Sequence, residues 1–256
     1  MTDASRQRMR RRIARTLGVV GVLTVVVAMS IAGTGAKQRA RRAAAPERKP
    51  PLPEGCKATR VQKLRPQSYD GPRSVLQTGR DYRVVVDTSC GELELDLFEQ
   101  EAPINVNNFV FLATRGFYDG LPFHRIEKDS VLQTGDPNGR SLDPPDGPGY
   151  VVDDELANAH FDRYVYGVVG MANRGPDTAG SQFFIVVHDL RGARQGDPEP
   201  AGYRPRYTVI GRVVRRSWQT LERMAEVDTQ GGKDPVKSVR PIRPVVIRSI
   251  ELKDGA

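Results

Sequence analysis

Cysteine and histidine are scarce in this sequence, and their scarcity excludes several kinds of functional site. The 256 residues include only two cysteines and three histidines. Two cysteines are too few for a disulfide framework or a four-cysteine zinc site, and the histidines lack the spacing of metal ligands. No glycine-rich phosphate loop, Gly-x-Ser-x-Gly elbow or dinucleotide fingerprint occurs. We therefore expect chemistry that needs no metal, no nucleotide and no covalent nucleophile.

The net charge of the chain is +8, yet most of the chain has no excess of basic over acidic residues. Residues 1–50 contain 12 basic and 2 acidic side chains, whereas the remaining 206 residues contain 27 basic and 29 acidic ones. A DNA-binding domain that neutralises phosphates is basic in its folded part. The arginine-rich N-terminal segment also lacks the interleaved aromatic residues of single-strand binding sites. We therefore expect no nucleic-acid partner.

Charge is absent from the 21 residues between Arg15 and Lys37. Residues 17–36 are almost all apolar, and a helix of twenty residues spans about 30 Å, the thickness of a bilayer core. The pattern predicts a basic segment at 1–16 followed by a transmembrane helix at 17–36. A cleaved signal peptide is the alternative. Basic residues are equally numerous before and after this segment, so the positive-inside rule does not decide its orientation in the membrane.

We accordingly expect a single-pass protein of the cell membrane with its folded domain outside the cytoplasm, or a secreted protein if the segment is cleaved. Residues 37–80 are rich in proline and basic side chains, which predicts a semi-extended spacer. The folded domain is predicted to occupy 81–256.

The folded part is predicted to be mainly β. Two helices are predicted, one from Pro103 to a C-terminal Gly116 and one at 217–227 with Ser217 as N-cap. Short apolar runs predict eight strands, at 82–87, 92–97, 123–126, 131–134, 168–171, 183–187, 209–214 and 245–252. This composition predicts a closed eight-stranded antiparallel barrel with a helix over each open end.

Four segments of this domain resemble the signature blocks of the cyclophilins. They read Phe-His-Arg-Ile at 123–126, Gln-Thr-Gly-Asp at 133–136, Met-Ala-Asn-Arg-Gly-Pro at 171–176 and Gly-Ser-Gln-Phe-Phe-Ile at 180–185. The resemblance covers roughly 81–252, and with the N-terminal segment the chain resembles an exported actinobacterial-type cyclophilin. It implies peptidyl-prolyl cis-trans isomerase activity on proline-containing polypeptides without a cofactor.

Arg125 is the predicted catalytic residue, because a guanidinium offers several N–H donors to the nitrogen of a twisted prolyl amide. An ion pair with Glu127 is the alternative role. Strand alternation predicts that Phe123 shares the face of Arg125, while His124, with a structural role, lies on the other. The resemblance implies that substrate is bound by Gln133, Val131, Ala172, Asn173, Arg174, Gln182, Phe184, Tyr207, Ser130 and Tyr203.

Two departures from the family pattern affect the proline pocket. Ser130 stands where the family usually has a phenylalanine, and the position of a common tryptophan falls near Tyr203, after an insertion at 191–202. Loss of a ring is expected to weaken proline binding by about 1–3 kcal/mol. Two hypotheses follow: an isomerase that assists the folding of exported proteins, or a weakly active scaffold that binds proline peptides at the membrane.

The two cysteines lie in the predicted spacer and in the first hairpin turn, at Cys56 and Cys90. If the domain faces an oxidising compartment, they are expected to form a disulfide, which would stabilise the fold by about 4 kcal/mol in the chain-entropy treatment. The alternative is two unrelated reduced thiols.

Overall fold

In the computed structural model, the apolar runs of the described residues form eight strands of one antiparallel sheet. The strands are β1 (Arg83–Thr88), β2 (Gly91–Leu97), β3 (Arg125–Ile126), β4 (Val131–Thr134), β5 (Val168–Met171), β6 (Phe183–Val186), β7 (Val209–Val213) and β8 (Ile247–Leu252). Their order in the sheet is β3-β4-β6-β5-β7-β2-β1-β8. The predicted mainly β fold with eight antiparallel strands is confirmed.

The structure describes residues 49–61, 67–138, 147–157, 164–188 and 206–253. All of them belong to one compact unit, Lys49–Ala256. The predicted transmembrane helix at 17–36, the insertion at 191–202 and Tyr203 lie outside the described residues. Within the described ranges, no helix combines the length and the apolar character needed to cross a membrane.

The predicted closure of the barrel is wrong, because β3 and β8 are the two edges of an open sheet. Between these edges there is one isolated bridge, Pro122 to Val246, flanked by a hydrogen bond from the Phe123 N–H to the Val245 carbonyl at 2.8 Å. On the other side of this bridge the Ile247 N–H donates to the Leu121 carbonyl at 2.9 Å, but β3 itself pairs only with β4 among the described residues. The eight strands therefore form a half-barrel.

Two helices pack on the sheet among the described residues, α1 (Pro103–Ala113) and α2 (Trp218–Ala225). Proline begins α1, and the Glu155 carboxylate accepts hydrogen bonds from the N–H groups of Ile104 and Asn105 at 3.0 and 2.8 Å. A remote acid thus satisfies the free donors of the first turn. Ser217 precedes α2 as predicted, but its hydroxyl accepts the Glu94 N–H at 3.0 Å instead of capping the helix.

The described residues of the predicted spacer, 49–61 and 67–80, belong to the same compact unit as the sheet. Cys56 and Cys90 form a disulfide. The Lys57 N–H donates to the Ser89 carbonyl at 2.7 Å, and the Val75 N–H donates to the Asn107 side chain at 2.8 Å. A covalent bond and main-chain hydrogen bonds hold a segment whose composition alone suggests an extended linker.

Alternation along the strands divides the buried apolar residues into two clusters. The main core contains residues such as Leu132, Val169, Phe183 and Ile210, together with the buried residues of both helices. Their strand neighbours point to the opposite face of the sheet. There they form a smaller cluster, here called the outer cluster, of Val131, Tyr164, Val168, Phe184, Val186 and Val209.

Candidate active site

A chain of hydrogen-bonded side chains crosses the sheet from β3 to the start of β6. Arg125 and Gln133 are paired across β3 and β4, and the Arg125 Nη1 donates to Gln133 Oε1 at 3.3 Å. Gln133 Nε2 in turn donates to Gln182 Oε1 at 2.8 Å. Since each amide has one donor group and one acceptor, this sequence of bonds fixes the orientation of both glutamines.

An apolar surface lies directly beside this polar chain. Phe184 pairs with Gln133 on one side and with Gly170 on the other. Its ring is 4% exposed and meets the Tyr207 ring edge-to-face, with 5.3 Å between centroids. Arg125, Gln133, Phe184 and Gly170 thus form one row across four strands, here called the active-site row. It offers hydrogen-bond donors next to aromatic rings.

Glu127 holds one edge of the Arg125 guanidinium. Arg125 donates from Nε to Glu127 Oε2 at 3.1 Å, and its Nη2 forms an ion pair with the same oxygen. The ion pair with Glu127 is therefore present, and the other Nη reaches Gln133. A guanidinium has five N–H groups, and the Arg125 side chain is 36% exposed, so donors remain for a bound peptide.

The segment after β5 presents main-chain groups to the same site. The Ala172 N–H donates to the Gln182 carbonyl at 2.9 Å. The Asn173 side chain is held by Asp154 Oδ1 at 3.0 Å and by the Arg206 carbonyl. Among the described residues, no group bonds the main chain of Asn173, which leaves it available to an extended peptide.

Comparison with known proteins places this geometry in a family. The family model described as "Cyclophilin type peptidyl-prolyl cis-trans isomerase/CLD" matches residues 83–252. The chain belongs to the cyclophilin family. It is a peptidyl-prolyl cis-trans isomerase of the cyclophilin type, and the match spans every strand described above.

Relatives of this cyclophilin occur in plants and bacteria. It is 33% identical over 169 residues to peptidyl-prolyl cis-trans isomerase CYP18-2 of Arabidopsis thaliana, covering 66% of this chain and 96% of the relative. It is 34% identical over 194 residues to a putative peptidyl-prolyl cis-trans isomerase of Staphylococcus haemolyticus, covering 68% and 92%. The crystal structure of a Cryptosporidium parvum cyclophilin superposes with a TM-score of 0.55 at 27% identity, covering 69% of this chain and all of that one.

Other predicted binding residues lie at the edge of this site. Val131 is buried in the outer cluster. Ser130 is also buried, with its N–H bonded to the Glu127 carbonyl and its own carbonyl bonded to the Val187 N–H. Arg174 is exposed, and its N–H donates to the Thr178 hydroxyl at 2.9 Å. With serine at position 130, the described aromatic surface consists of Phe184 and Tyr207.

The expectation that Phe123 shares the face of Arg125 is wrong. Phe123 is fully buried in the main core together with Ile126. The strand β3 contains only Arg125 and Ile126, so alternation does not extend back to position 123. His124 is buried, neither ring nitrogen has a hydrogen-bond partner among the described residues, and burial lowers its pKa to about 4.

Sequence reasoning missed two residues that support the aromatic surface. Tyr164 is fully buried and donates its hydroxyl to the Tyr207 carbonyl at 2.7 Å, and burial raises its pKa to about 12. Gly170 lies under Phe184, where a Cβ would come within 2.6 Å of the ring. A glycine inside an apolar strand signals such a close approach. No comparable signal in the sequence identifies Tyr164.

Proposed function

We propose that this cyclophilin accelerates rotation about Xaa-Pro bonds in exported or envelope proteins, at the membrane to which residues 17–36 anchor it. The observation that carries the assignment of the reacting groups is the active-site row, in which Arg125, Gln133 and Phe184 follow one another across three neighbouring strands. The crystal structure of the Cryptosporidium parvum cyclophilin determined in the presence of the dipeptide Ala-Pro, with a TM-score of 0.54, supports a proline ligand for this fold.

The reaction needs neither bond cleavage nor a cofactor. Rotation about an Xaa-Pro bond is opposed by amide resonance, with a barrier of about 20 kcal/mol. In the twisted state the prolyl nitrogen regains its lone pair and accepts a hydrogen bond more strongly than the planar amide does. A donor aimed at that nitrogen therefore stabilises the transition state more than the ground state.

The roles of the side chains follow from this requirement. Phe184 and Tyr207 provide the apolar surface against which a proline ring packs. Arg125 donates to the twisted amide, while Glu127 and Gln133 hold the guanidinium from two directions so that its orientation is set before substrate binds. Each 1.4 kcal/mol of differential stabilisation is about tenfold in rate, so a few well-placed donors suffice.

The weakly active scaffold remains the second candidate, because two observations favour it. Ser130 supplies no ring to the pocket, and the Glu127 carboxylate competes with substrate for the Arg125 donors. Catalysis by the full chain in detergent, measured with an Ala-Ala-Pro-Phe reporter peptide, separates the two functions. We expect acceleration above the uncatalysed rate. Binding of a proline peptide without acceleration would establish the scaffold.

The extracytoplasmic location is supported by the Cys56–Cys90 disulfide, since disulfides persist in oxidising compartments. Thiol labelling of the full chain, in cells quenched with acid before lysis, tests it. We expect no labelling without reductant and two labelled thiols after reduction, with a Cys56→Ser variant labelled once without reductant as the control. Two thiols labelled without reductant would contradict the location.

A further inference from the structure

A groove lies on the outer face of the sheet beside the active-site row, and the known family function does not account for it. Its volume is about 670 Å³, within the range of about 300–1,000 Å³ typical of ligand sites. The groove is here called the arginine groove, after the charged residues that line it together with two aromatic ones. These residues are Arg83, Arg212, Arg215, Arg216, Tyr166 and Trp218.

The strand register makes the arginine groove continuous with the active site. Val168 of β5 pairs with Arg212, Arg212 pairs with Asp96, and Asp96 pairs with Arg83. These residues form a row across β5, β7, β2 and β1. Val168 and Gly170 are two positions apart on β5 and so face the same side of the sheet. The active-site row and this second row therefore cross β5 on the same face, two residues apart.

The residues that line the groove include fewer carboxylates than arginines. Asp96 is shared by Arg83 at 3.4 Å and by Arg212 at 3.0 Å, and the Arg212 side chain is 63% exposed. Arg215 lies over the Trp218 ring at 5.2 Å. No carboxylate in the described part of the chain pairs with Arg215. Its charge is held in place by an aromatic ring and remains available to a ligand.

The second acid near the groove is also shared. Glu94 is 5% exposed and accepts from Arg216 Nε at 3.0 Å and from Lys253 Nζ at 2.8 Å. Among the described residues that line the groove, four arginines thus face one carboxylate, Asp96, and the nearby Glu94 is shared between Arg216 and Lys253. Because residues 51–256 carry slightly more acidic than basic side chains, this excess is a local feature and not a property of the domain surface.

We propose that the arginine groove is a second substrate subsite, which binds an acidic segment of the same polypeptide whose proline lies over Phe184. The proposal rests on the isomerase function proposed above. Guanidinium groups bind carboxylates through paired N–H donors, which favours Asp- and Glu-rich segments over neutral ones. The subsite would select clients by charge at a distance from the isomerised bond.

Strand geometry sets the expected spacing between proline and acid. Arg212 lies two strands from Phe184 and two residues along, a separation of about 12 Å for strands about 4.8 Å apart. An extended peptide advances about 3.3 Å per residue. About four residues therefore separate the proline from the first bound carboxylate.

Isomerisation of designed peptides by the full chain tests the subsite. Exchange spectroscopy by NMR gives kcat/KM for peptides with Glu-Glu-Glu placed four residues before or four residues after the proline, each matched by a Gln-Gln-Gln peptide. We expect the Glu peptide to exceed its Gln match by about three- to tenfold in one of the two placements, and the gain to shrink when salt rises from about 0.02 M to about 0.5 M. Turnover of the Gln peptides reports on the isomerase function separately.

In the variant Arg212→Gln/Arg215→Gln, kcat/KM for the Glu peptide should fall to that of its Gln match, a ratio near one. The control Lys57→Gln/Arg60→Gln should keep the wild-type ratio. The control removes two exposed cations, of which Lys57 bonds through its N–H to Ser89 at the turn end of the β1–β2 hairpin. Arg215→Gln alone, which leaves no buried carboxylate unpaired, serves if the double variant unfolds. A ratio near one for the wild type, or an unchanged ratio in the groove variants, would overturn the proposal. So would groove-dependent binding to phosphatidylglycerol vesicles without any peptide gain, which would assign the groove to the membrane surface.

Discussion

Phe183 and Phe184 are neighbours in β6, yet their rings lie in different environments on opposite faces of the sheet. Phe183 packs edge-to-face against Phe109 and Tyr118 in the main core, with centroid distances of 5.3 and 5.5 Å. Phe184 packs against Tyr207, which is itself only partly buried. One face is enclosed by helices, and the other has an aromatic surface bordered by hydrogen-bonding side chains.

The comparison separates stability from function within a single strand. A ring enclosed on all sides contributes to folding through its many contacts, and its loss leaves a cavity. Truncating a ring in the smaller outer cluster loses fewer contacts, and it also removes the surface on which we propose that substrate packs. Substitutions on the two faces should therefore have different signatures.

The largest expected effect comes from Phe183→Ala, which should lower the free energy of unfolding by about 3–5 kcal/mol. Phe184→Ala should cost somewhat less stability, about 3 kcal/mol, because its ring belongs to the smaller outer cluster, while raising KM for a proline peptide about tenfold. Urea unfolding and turnover measured on both variants give the comparison. Equal losses of stability with equal activities would show that the two faces do not differ in this way.

The second prediction concerns the polar half of the outer face. Arg125→Ala should lower kcat/KM by about 30- to 1,000-fold, corresponding to about 2–4 kcal/mol of transition-state stabilisation, while leaving the fold intact. Arg248→Ala, which removes an exposed arginine paired with Asp87, is the matched control and should change neither property. Near-normal turnover of Arg125→Ala with wild-type unfolding would mean that another residue donates to the amide.

The third prediction concerns a buried neighbour of Arg125. His124 stays neutral in the folded protein because burial lowers its pKa to about 4, whereas in the unfolded chain it gains a proton below about pH 6.5. The unfolded state then binds more protons, so stability should fall by up to about 3 kcal/mol as pH decreases from about 6.5 to about 4.

Unfolding free energies at several pH values measure this loss, and a His124→Gln variant should show a flatter dependence on pH over that interval. The same slope for the variant and the wild type would assign acid sensitivity to other groups. The effect belongs to stability, so turnover at saturating substrate should not follow the same curve while the protein remains folded.

The strand positions and the family could be predicted from the sequence because both depend on local patterns of residues. Apolar runs bounded by turns mark β1 through β8, and blocks such as Gly-Ser-Gln-Phe-Phe carry the family resemblance. Alternation on β6 puts Phe183 in the main core and Phe184 in the outer cluster. These signals extend over a few residues, where strand geometry alone determines which side chains share a face.

The remaining features depend on contacts between distant segments. The open edge between β3 and β8 accompanies the two-residue length of β3, which is not visible as a break in an apolar run. Glu155 caps α1 across about fifty positions, and Tyr164 supports Tyr207 from a different loop. Local patterns carry no information about such partners, because folding brings them together.

The smallest expected effect comes from Gly170→Ala, which tests how closely the outer face is packed beneath the aromatic surface. A Cβ at this position would lie 2.6 Å from the Phe184 ring, so the ring must shift toward the space where proline packs. We expect KM to rise about three- to tenfold and stability to fall by about 1–2 kcal/mol. Gly71→Ala is the matched control, because an added Cβ there meets nothing within 4 Å. An unchanged KM for Gly170→Ala would show that the Phe184 ring accommodates the added methyl group without disturbing the surface on which proline packs.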